Sequence, residues 1–156
     1  MTNIFYLITQ LGRAEVIIGL ALFFSLYLKL AKKTRYLFVF WLSTAGACIS
    51  GFLLKNGIAR PRPLDALYQA SSYSFPSLHT TGAVILYGLA AYILCREIKK
   101  KQYKPWITAA AILIITAVAY SRLYLKVHYL SDVIGGAILG LMWLGLGIAL
   151  IQKKKK

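Results

Sequence analysis

A chain of 156 residues that is 59% hydrophobic, with a mean hydropathy of +0.65, is too apolar for an ordinary soluble domain. Its net charge of +15 comes from 19 Lys and Arg against 4 Asp and Glu, but the cations are dispersed in short clusters between apolar runs. That distribution excludes a nucleic-acid-binding module and points to an integral membrane protein. Cys48 and Cys95 fall in apolar stretches near opposite faces, which predicts no disulfide and offers no metal-type spacing.

Residues 2–11 are too short to span a bilayer. Ile4, Phe5, Leu7, Ile8 and Leu11 recur at helical spacing, with Thr2, Asn3, Thr9 and Gln10 opposite, so a short interfacial helix on the outer surface is expected. With no basic stretch ahead of this run, a cleaved signal peptide is not expected. Five stretches then approach the roughly 20 apolar residues of a spanning helix: 14–31, 36–54, 82–95 with its polar lead-in, 105–121 and 133–152. Helices are the expected spanning form, because the runs are too long and continuous for barrel strands. The fold class expected is an all-α membrane protein with five transmembrane helices and one N-terminal interfacial helix, in a single domain over residues 1–156.

Thirteen of the 19 basic residues sit in alternate connections and the tail: Lys29, Lys32, Lys33 and Arg35; Arg96, Lys99, Lys100, Lys101 and Lys104; and residues 153–156. By the positive-inside rule these lie in the cytoplasm, beside anionic headgroups. The expected topology is a multi-pass protein of the bacterial inner membrane, with the N-terminus periplasmic and the C-terminus cytoplasmic. The other six, Arg13, Lys55, Arg60, Arg62, Arg122 and Lys126, fall on the outer side, against that rule. Arg13 and Lys126 are equally well explained by snorkelling to headgroups. Lys55, Arg62 and Arg122 are not, because both histidines of the chain, His79 and His128, lie at the same face.

Converging cations call for an anion, and lysine with arginine suits phosphate. Asp132 follows His128 by four residues, so on a helix the two share a face, and the carboxylate can take the Nδ1 proton. Nε2 then keeps its lone pair and can attack. His79 has no acidic neighbour and is the better general acid toward a leaving oxygen. Ser77 and its neighbouring amides, ahead of the third span, can donate to phosphate at a helix N-terminus. Carboxylate pairs for a two-metal site are absent from the sequence, so metal-independent phosphoryl transfer through a phosphohistidine is expected, without cofactor. Of the other classes weighed, a transporter should carry its charge at mid-span, and a vanadate-dependent peroxidase would more naturally be soluble.

Three segments carry a family pattern. KNGIARPRP (residues 55–63) fits a lysine, six residues, then Arg-Pro. PSLH (76–79) resembles Pro-Ser-Gly-His. SRLYLKVHYLSD (121–132) fits Ser-Arg, five residues, His, three residues, Asp. In this order they resemble the signature of the type 2 phosphatidic acid phosphatase superfamily. The resemblance implies that Lys55, Arg62, Ser77 and Arg122 bind phosphate, that His79 protonates the leaving group, that His128 is the nucleophile and that Asp132 orients it. Leu78 replaces the family glycine; its backbone N–H can still donate to phosphate, but its side chain takes up room. Arg60 is outside the fixed positions and is a candidate contact for a second phosphate or a headgroup.

The implied activity is removal of phosphate from a lipid phosphate or diphosphate at the outer face. The branch resembled most is the lipid A 1-phosphatases; phosphatidylglycerophosphate and undecaprenyl diphosphate are the alternative substrates. A catalytically inactive phospholipid-binding membrane protein is the alternative of a different class. Nucleic acid is not an expected partner. Gly136 with Gly140, and Gly46 with Ser50, are small-xxx-small pairs that allow close helix packing inside the bundle or between two copies, leaving monomer and homodimer both open.

Overall fold

The computed structural model describes residues 2–67 and 72–153. Part of the expected outer loop (68–71) and the end of the lysine tail (154–156) lie outside the described residues. All regular structure described is helical: α1 (Thr2–Gln10), α2 (Ala14–Leu30), α3 (Thr34–Ile58), α4 (Leu78–Glu97), α5 (Lys104–Tyr124) and α6 (Leu130–Gln152), with one 3-10 turn at Lys101–Tyr103. Helices α3, α4, α5 and α6 are long and apolar enough to cross a membrane. Helix α2 has 17 residues, about 26 Å at 1.5 Å per residue and the short end of a spanning length. With α1 it forms a pair bent by 43°, which brings the spans from four to five when the pair is taken as one. The expected fold class therefore holds.

Each break has a local cause. Gly12 lies in the break after α1, where a Cβ would stand 2.7 Å from Val118 Cγ1. Ala59 ends α3 in the left-handed region (φ 50°), its N–H bonded to the Lys55 carbonyl at 3.1 Å. Pro61 and Pro63 then keep the chain extended. Ser77 caps α4, and Pro105 opens α5 in the first turn, where its missing N–H costs nothing.

Helix α4 is the centre of the bundle. Its Ile85, Leu86, Leu89 and Ile93 are buried with Ile17, Ala21 and Leu28 of α2 and with Val39, Phe40 and Ala47 of α3. Apolar side chains gain little by packing together in lipid, so close backbone approach matters more. A Cβ at Gly136 would stand 2.5 Å from the Ser77 carbonyl oxygen, and one at Gly140 would stand 2.7 Å from Val84, so α6 lies flat against α4. Gly46 takes the Trp143 ring, whose Nε1 donates to Ser50 Oγ at 3.0 Å. Both small-residue pairs are thus used within the bundle.

The alternation of directions brings three connections to one end: the α1–α2 corner, the α3–α4 loop and the α5–α6 loop. At the other end Lys33 pairs with Glu97 at 2.5 Å, and Arg35 donates to the carbonyls of Leu150 and Lys153, capping α6.

Helix α1 is the short N-terminal helix expected, and it rests on the bundle. Ile4 and Leu7 point away from the protein, 59% and 72% exposed, Phe5 and Ile8 are half-buried against it, and Thr9 on the polar side is 3% exposed. A helix on a water-facing surface would turn the other way. The arrangement suits lipid surroundings, where Leu and Ile are at no disadvantage outside and a hydroxyl needs a partner inside. Helix α1 is clamped to the bundle by stacking of Phe5 on Tyr124 (3.9 Å between ring centres). Tyr87 Oη also donates to the Leu11 carbonyl at 2.8 Å, and Tyr6 Oη to the Leu67 carbonyl at 3.1 Å.

Candidate active site

His128 lies in the turn between α5 and α6. Helix α5 stops at Tyr124, Lys126 turns the chain at φ 53°, and α6 begins at Leu130. His128 is therefore ahead of the helix rather than on its face, as the four-residue spacing implied. The pairing with Asp132 survives because Asp132, in the first turn of α6, reaches back past the helix start. Its Oδ2 accepts from the Tyr129 N–H at 2.9 Å and stands 3.4 Å from His128 Nδ1. One carboxylate thus both caps the helix and orients the imidazole. Asp132 is fully buried behind His128, not in the cavity.

The tautomer follows from the neighbours. Nδ1 faces the carboxylate, so it carries the proton. Nε2 lies 3.4 Å from Arg62 Nη1, and a guanidinium can only donate, so Nε2 presents a lone pair. Burial pushes the His128 pKa well below the usual histidine range, reinforced by the charges of Arg122, Arg62 and Lys55. The ring is neutral, and its contact with Asp132 is a hydrogen bond, not an ion pair.

Two further groups hold Asp132. Ser74 Oγ donates to Oδ2 and lies 3.4 Å from His128 Nδ1. Arg60 Nη1 donates to Oδ1 at 2.8 Å and to Ser131 Oγ at 2.6 Å, and its guanidinium sits 4.1 Å over the Tyr129 ring. Arg60 therefore turns inward to the aspartate rather than outward to a headgroup, because the only buried carboxylate of the site is within its reach. Ser74 carries no motif of its own. Its proximity comes from the α3–α4 loop folding back, with the Ser74 N–H on the Arg60 carbonyl at 2.8 Å.

Lys55, Arg62 and Arg122 converge as expected, together with His79 and His128, around a cavity of about 640 Å³. Lys55 is buried at the end of α3, its Nζ donating to the Tyr73 carbonyl at 2.7 Å. Arg62 is braced by the carbonyls of Val127 (2.7 Å) and Ser72 (2.6 Å). Arg122 is 1% exposed and donates to Thr9 Oγ1 at 2.6 Å. Thr9 is a site residue that sequence reasoning missed, since it belongs to a helix 113 positions away. The α1–α2 corner also touches His79: a Cβ at Gly12 would lie 3.1 Å from His79 Cβ and 2.7 Å from Val118. The other two outer cations pair locally, Arg13 with Glu15 at 3.2 Å and Lys126 with Asp65 at 2.6 Å, both on the exposed surface.

Ser77 is placed differently from expectation. It is fully buried, its Oγ accepts from Thr80 Oγ1 (3.1 Å) and from the Thr80 N–H (3.5 Å), and its own N–H donates to the Asp132 carbonyl at 3.0 Å. It caps α4 and ties α4 to α6. The N–H groups of Leu78 and His79, the first two of α4, have no intrahelical partner and lie at the positive end of the helix dipole, beside the cavity. Below this polar end the cavity wall is apolar, formed by Ile17 and Ile18 of α2, Ala47 and Cys48 of α3, and Gly82 and Ile85 of α4. The arrangement joins a cationic pocket, with a neutral imidazole at its wall, to a slot suited to hydrocarbon.

Residues 35–156 match the PAP2 superfamily. Phosphatidylglycerophosphatase B of Bacillus subtilis is 36% identical over 143 residues, covering 86% of this chain and 68% of that protein. The crystal structure of a transmembrane PAP2 type phosphatidylglycerolphosphate phosphatase from the same organism superposes with a TM-score of 0.92 at 30% identity, over 99% of this chain and 78% of that one. Aquifex aeolicus LpxE superposes at 0.74 and 24% identity, over 95% of this chain and 85% of that one, a likeness of fold. Since the matched region takes in the whole constellation from Lys55 to Asp132, the chain belongs to the PAP2 superfamily and is a membrane lipid phosphatase.

Proposed function

We propose that the chain hydrolyses a lipid phosphate monoester of the phosphatidylglycerophosphate kind, at the outer face of the bacterial inner membrane, through a phosphohistidine. The observation that carries this reading is the lone pair of His128 Nε2 set among Lys55, Arg62 and Arg122 at the head of an apolar slot. A phosphate gripped by these cations and by the amides at the start of α4 presents phosphorus to Nε2 while its lipid chain lies along Ile17, Ile18 and Ile85. Nε2 forms the N–P bond as the P–O bond to the lipid breaks, and His79, on the cavity wall, gives a proton to the departing oxygen, its imidazolium form being favoured once the phosphate anion is bound beside it. Water then attacks the phosphohistidine, His79 takes its proton back, and inorganic phosphate leaves. The three cations stabilise the charge that a metal ion would otherwise stabilise.

The lipid A 1-phosphatase branch, favoured by compact size and an open outer face, has weaker support than the glycerophosphate lipid. The near full-length likeness at a TM-score of 0.92 is to a phosphatidylglycerolphosphate phosphatase, whereas the LpxE likeness is at 24% identity. The outward placement of the site rests on the positive-inside rule: Lys29, Lys32, Lys33, Arg35 and Arg96 gather at the opposite end of the bundle.

The test is phosphate release by purified protein in detergent with a chelator present, on phosphatidylglycerophosphate, lipid A and undecaprenyl diphosphate at equal surface concentration. The expected order puts phosphatidylglycerophosphate first, with competitive inhibition by vanadate. A faster rate on lipid A would overturn the substrate assignment, and a strict need for added metal would overturn the mechanism.

Thr9→Val is expected to lower kcat/KM about tenfold or more, since Arg122 then keeps its charge but loses a buried acceptor. Thr9→Ser is expected to retain most of the activity. Equal losses in the two variants would mean that α1 matters by packing and not through this bond.

A further inference from the structure

The chamber that holds the site has a neighbour. A second cleft of about 630 Å³ opens beside it, lined by Phe52, Asn56, Pro61 and Tyr73 and sharing Lys55, Arg62, Ser72 and Leu78 with the first. The two differ in character: the first runs down between apolar helix faces, whereas Asn56 and Tyr73 give the second a polar rim. Among the shared wall residues Leu78 alone is apolar. It stands at the first position of α4, next to His79.

Helix α3 is shaped to receive this side chain. A Cβ at Gly51 would stand 2.6 Å from Leu78 Cδ2 and 3.4 Å from Leu139 Cδ2. A Cβ at the first distance would push the flexible tip of the leucine aside, so Gly51 forms a notch in which that tip is seated. Leu78 is the nearer of its two neighbours, and Gly51 is buried in mid-helix, where glycine is about 1 kcal/mol less favourable than alanine. Leucine in the wall and glycine in the facing helix are a matched pair.

Resting on the phosphatase reading above, we propose that Leu78 is a specificity-determining residue. Seated against Gly51, it divides the two chambers and limits the room beside the phosphate to a slim leaving group. A primary alkyl phosphate, as on glycerol, has one carbon substituent on its ester carbon and follows the apolar slot. A sugar-borne phosphate carries ring atoms on two sides of its ester carbon, and one side needs the space that Leu78 fills.

Leu78→Ala, which keeps the backbone N–H, tests this with phosphatidylglycerophosphate and lipid A as substrates. The ratio of kcat/KM for lipid A to that for phosphatidylglycerophosphate is expected to rise about tenfold or more. An unchanged ratio, or one that moves the other way, overturns the partition. Gly51→Ala is expected to drive the leucine out of its notch, lowering kcat/KM on phosphatidylglycerophosphate about tenfold and lowering the thermal midpoint in detergent. Adding Leu78→Ala to Gly51→Ala should recover both. A double variant as impaired as Gly51→Ala alone would refute the pairing, and the thermal midpoint reads this even if the single variant folds poorly. Wild-type protein that turns over neither lipid sinks the functional reading, and the selectivity proposal with it. Wild-type turnover with an unmoved ratio sinks the partition alone.

Discussion

His128→Ala is expected to lower turnover about 10⁴-fold or more while leaving a folded helical bundle, because it removes the proposed nucleophile. His128 lies outside the helices, in the short α5–α6 turn, so its loss breaks no helix. Phosphate release against lipid phosphate, with circular dichroism as the control for folding, checks this; retention of more than about 1% of activity would remove His128 as nucleophile. The same residue sets a pH dependence. Its native pKa lies below the ordinary value because the ring is buried among Arg122, Arg62 and Lys55. Below an unfolded pKa of about 6.5, the unfolded chain takes up a proton that the native state does not. Stability contributed by the neutral ring is therefore present above that pH and falls as pH drops below it. Nitrogen NMR of the imidazole should find His128 neutral at pH 6, with the proton on Nδ1; an imidazolium there would contradict the geometry.

Asp132→Asn is expected to cost about 10³–10⁴-fold in kcat. Oδ2 receives Ser74 Oγ and the Tyr129 N–H and faces His128 Nδ1, while Oδ1 receives Arg60. Every neighbour is a donor, and asparagine offers one acceptor and one donor. With its amide nitrogen toward Arg60, donor meets donor. With the nitrogen toward His128, the proton is forced to Nε2, where it faces Arg62 and the lone pair is lost. The variant should also unfold at a lower temperature, by a loss of about 1–3 kcal/mol, because Arg60 is left beside a neutral group in a partly buried place. A full-rate Asp132→Asn enzyme would mean that the carboxylate serves only the start of α6. Steady-state kinetics and thermal unfolding in detergent separate the two roles.

The sequence alone determined the membrane class, the spans, their alternation and the face on which the histidines meet Lys55, Arg62 and Arg122. These are properties of single segments: a hydrophobic run spans by its length, loop charge sets direction, and two spans reverse the chain whatever packs beside them. It also determined the pairing of His128 with Asp132, which depends on a four-residue spacing that survives even though the histidine precedes the helix. Only the tertiary structure decided what holds those groups. Arg60 meets Asp132 across 72 positions, Ser74 across 58, and Thr9 meets Arg122 across 113. A residue recruited over such distances leaves no period or spacing in the sequence. The inward turn of Thr9 was hidden for a related reason, since the patterning of α1 does not say which side meets the bundle, and both Thr9 and Phe5 do. Leu78 was legible as a departure, but its place was decided by Gly51 on another helix, where the absence of a side chain makes the room.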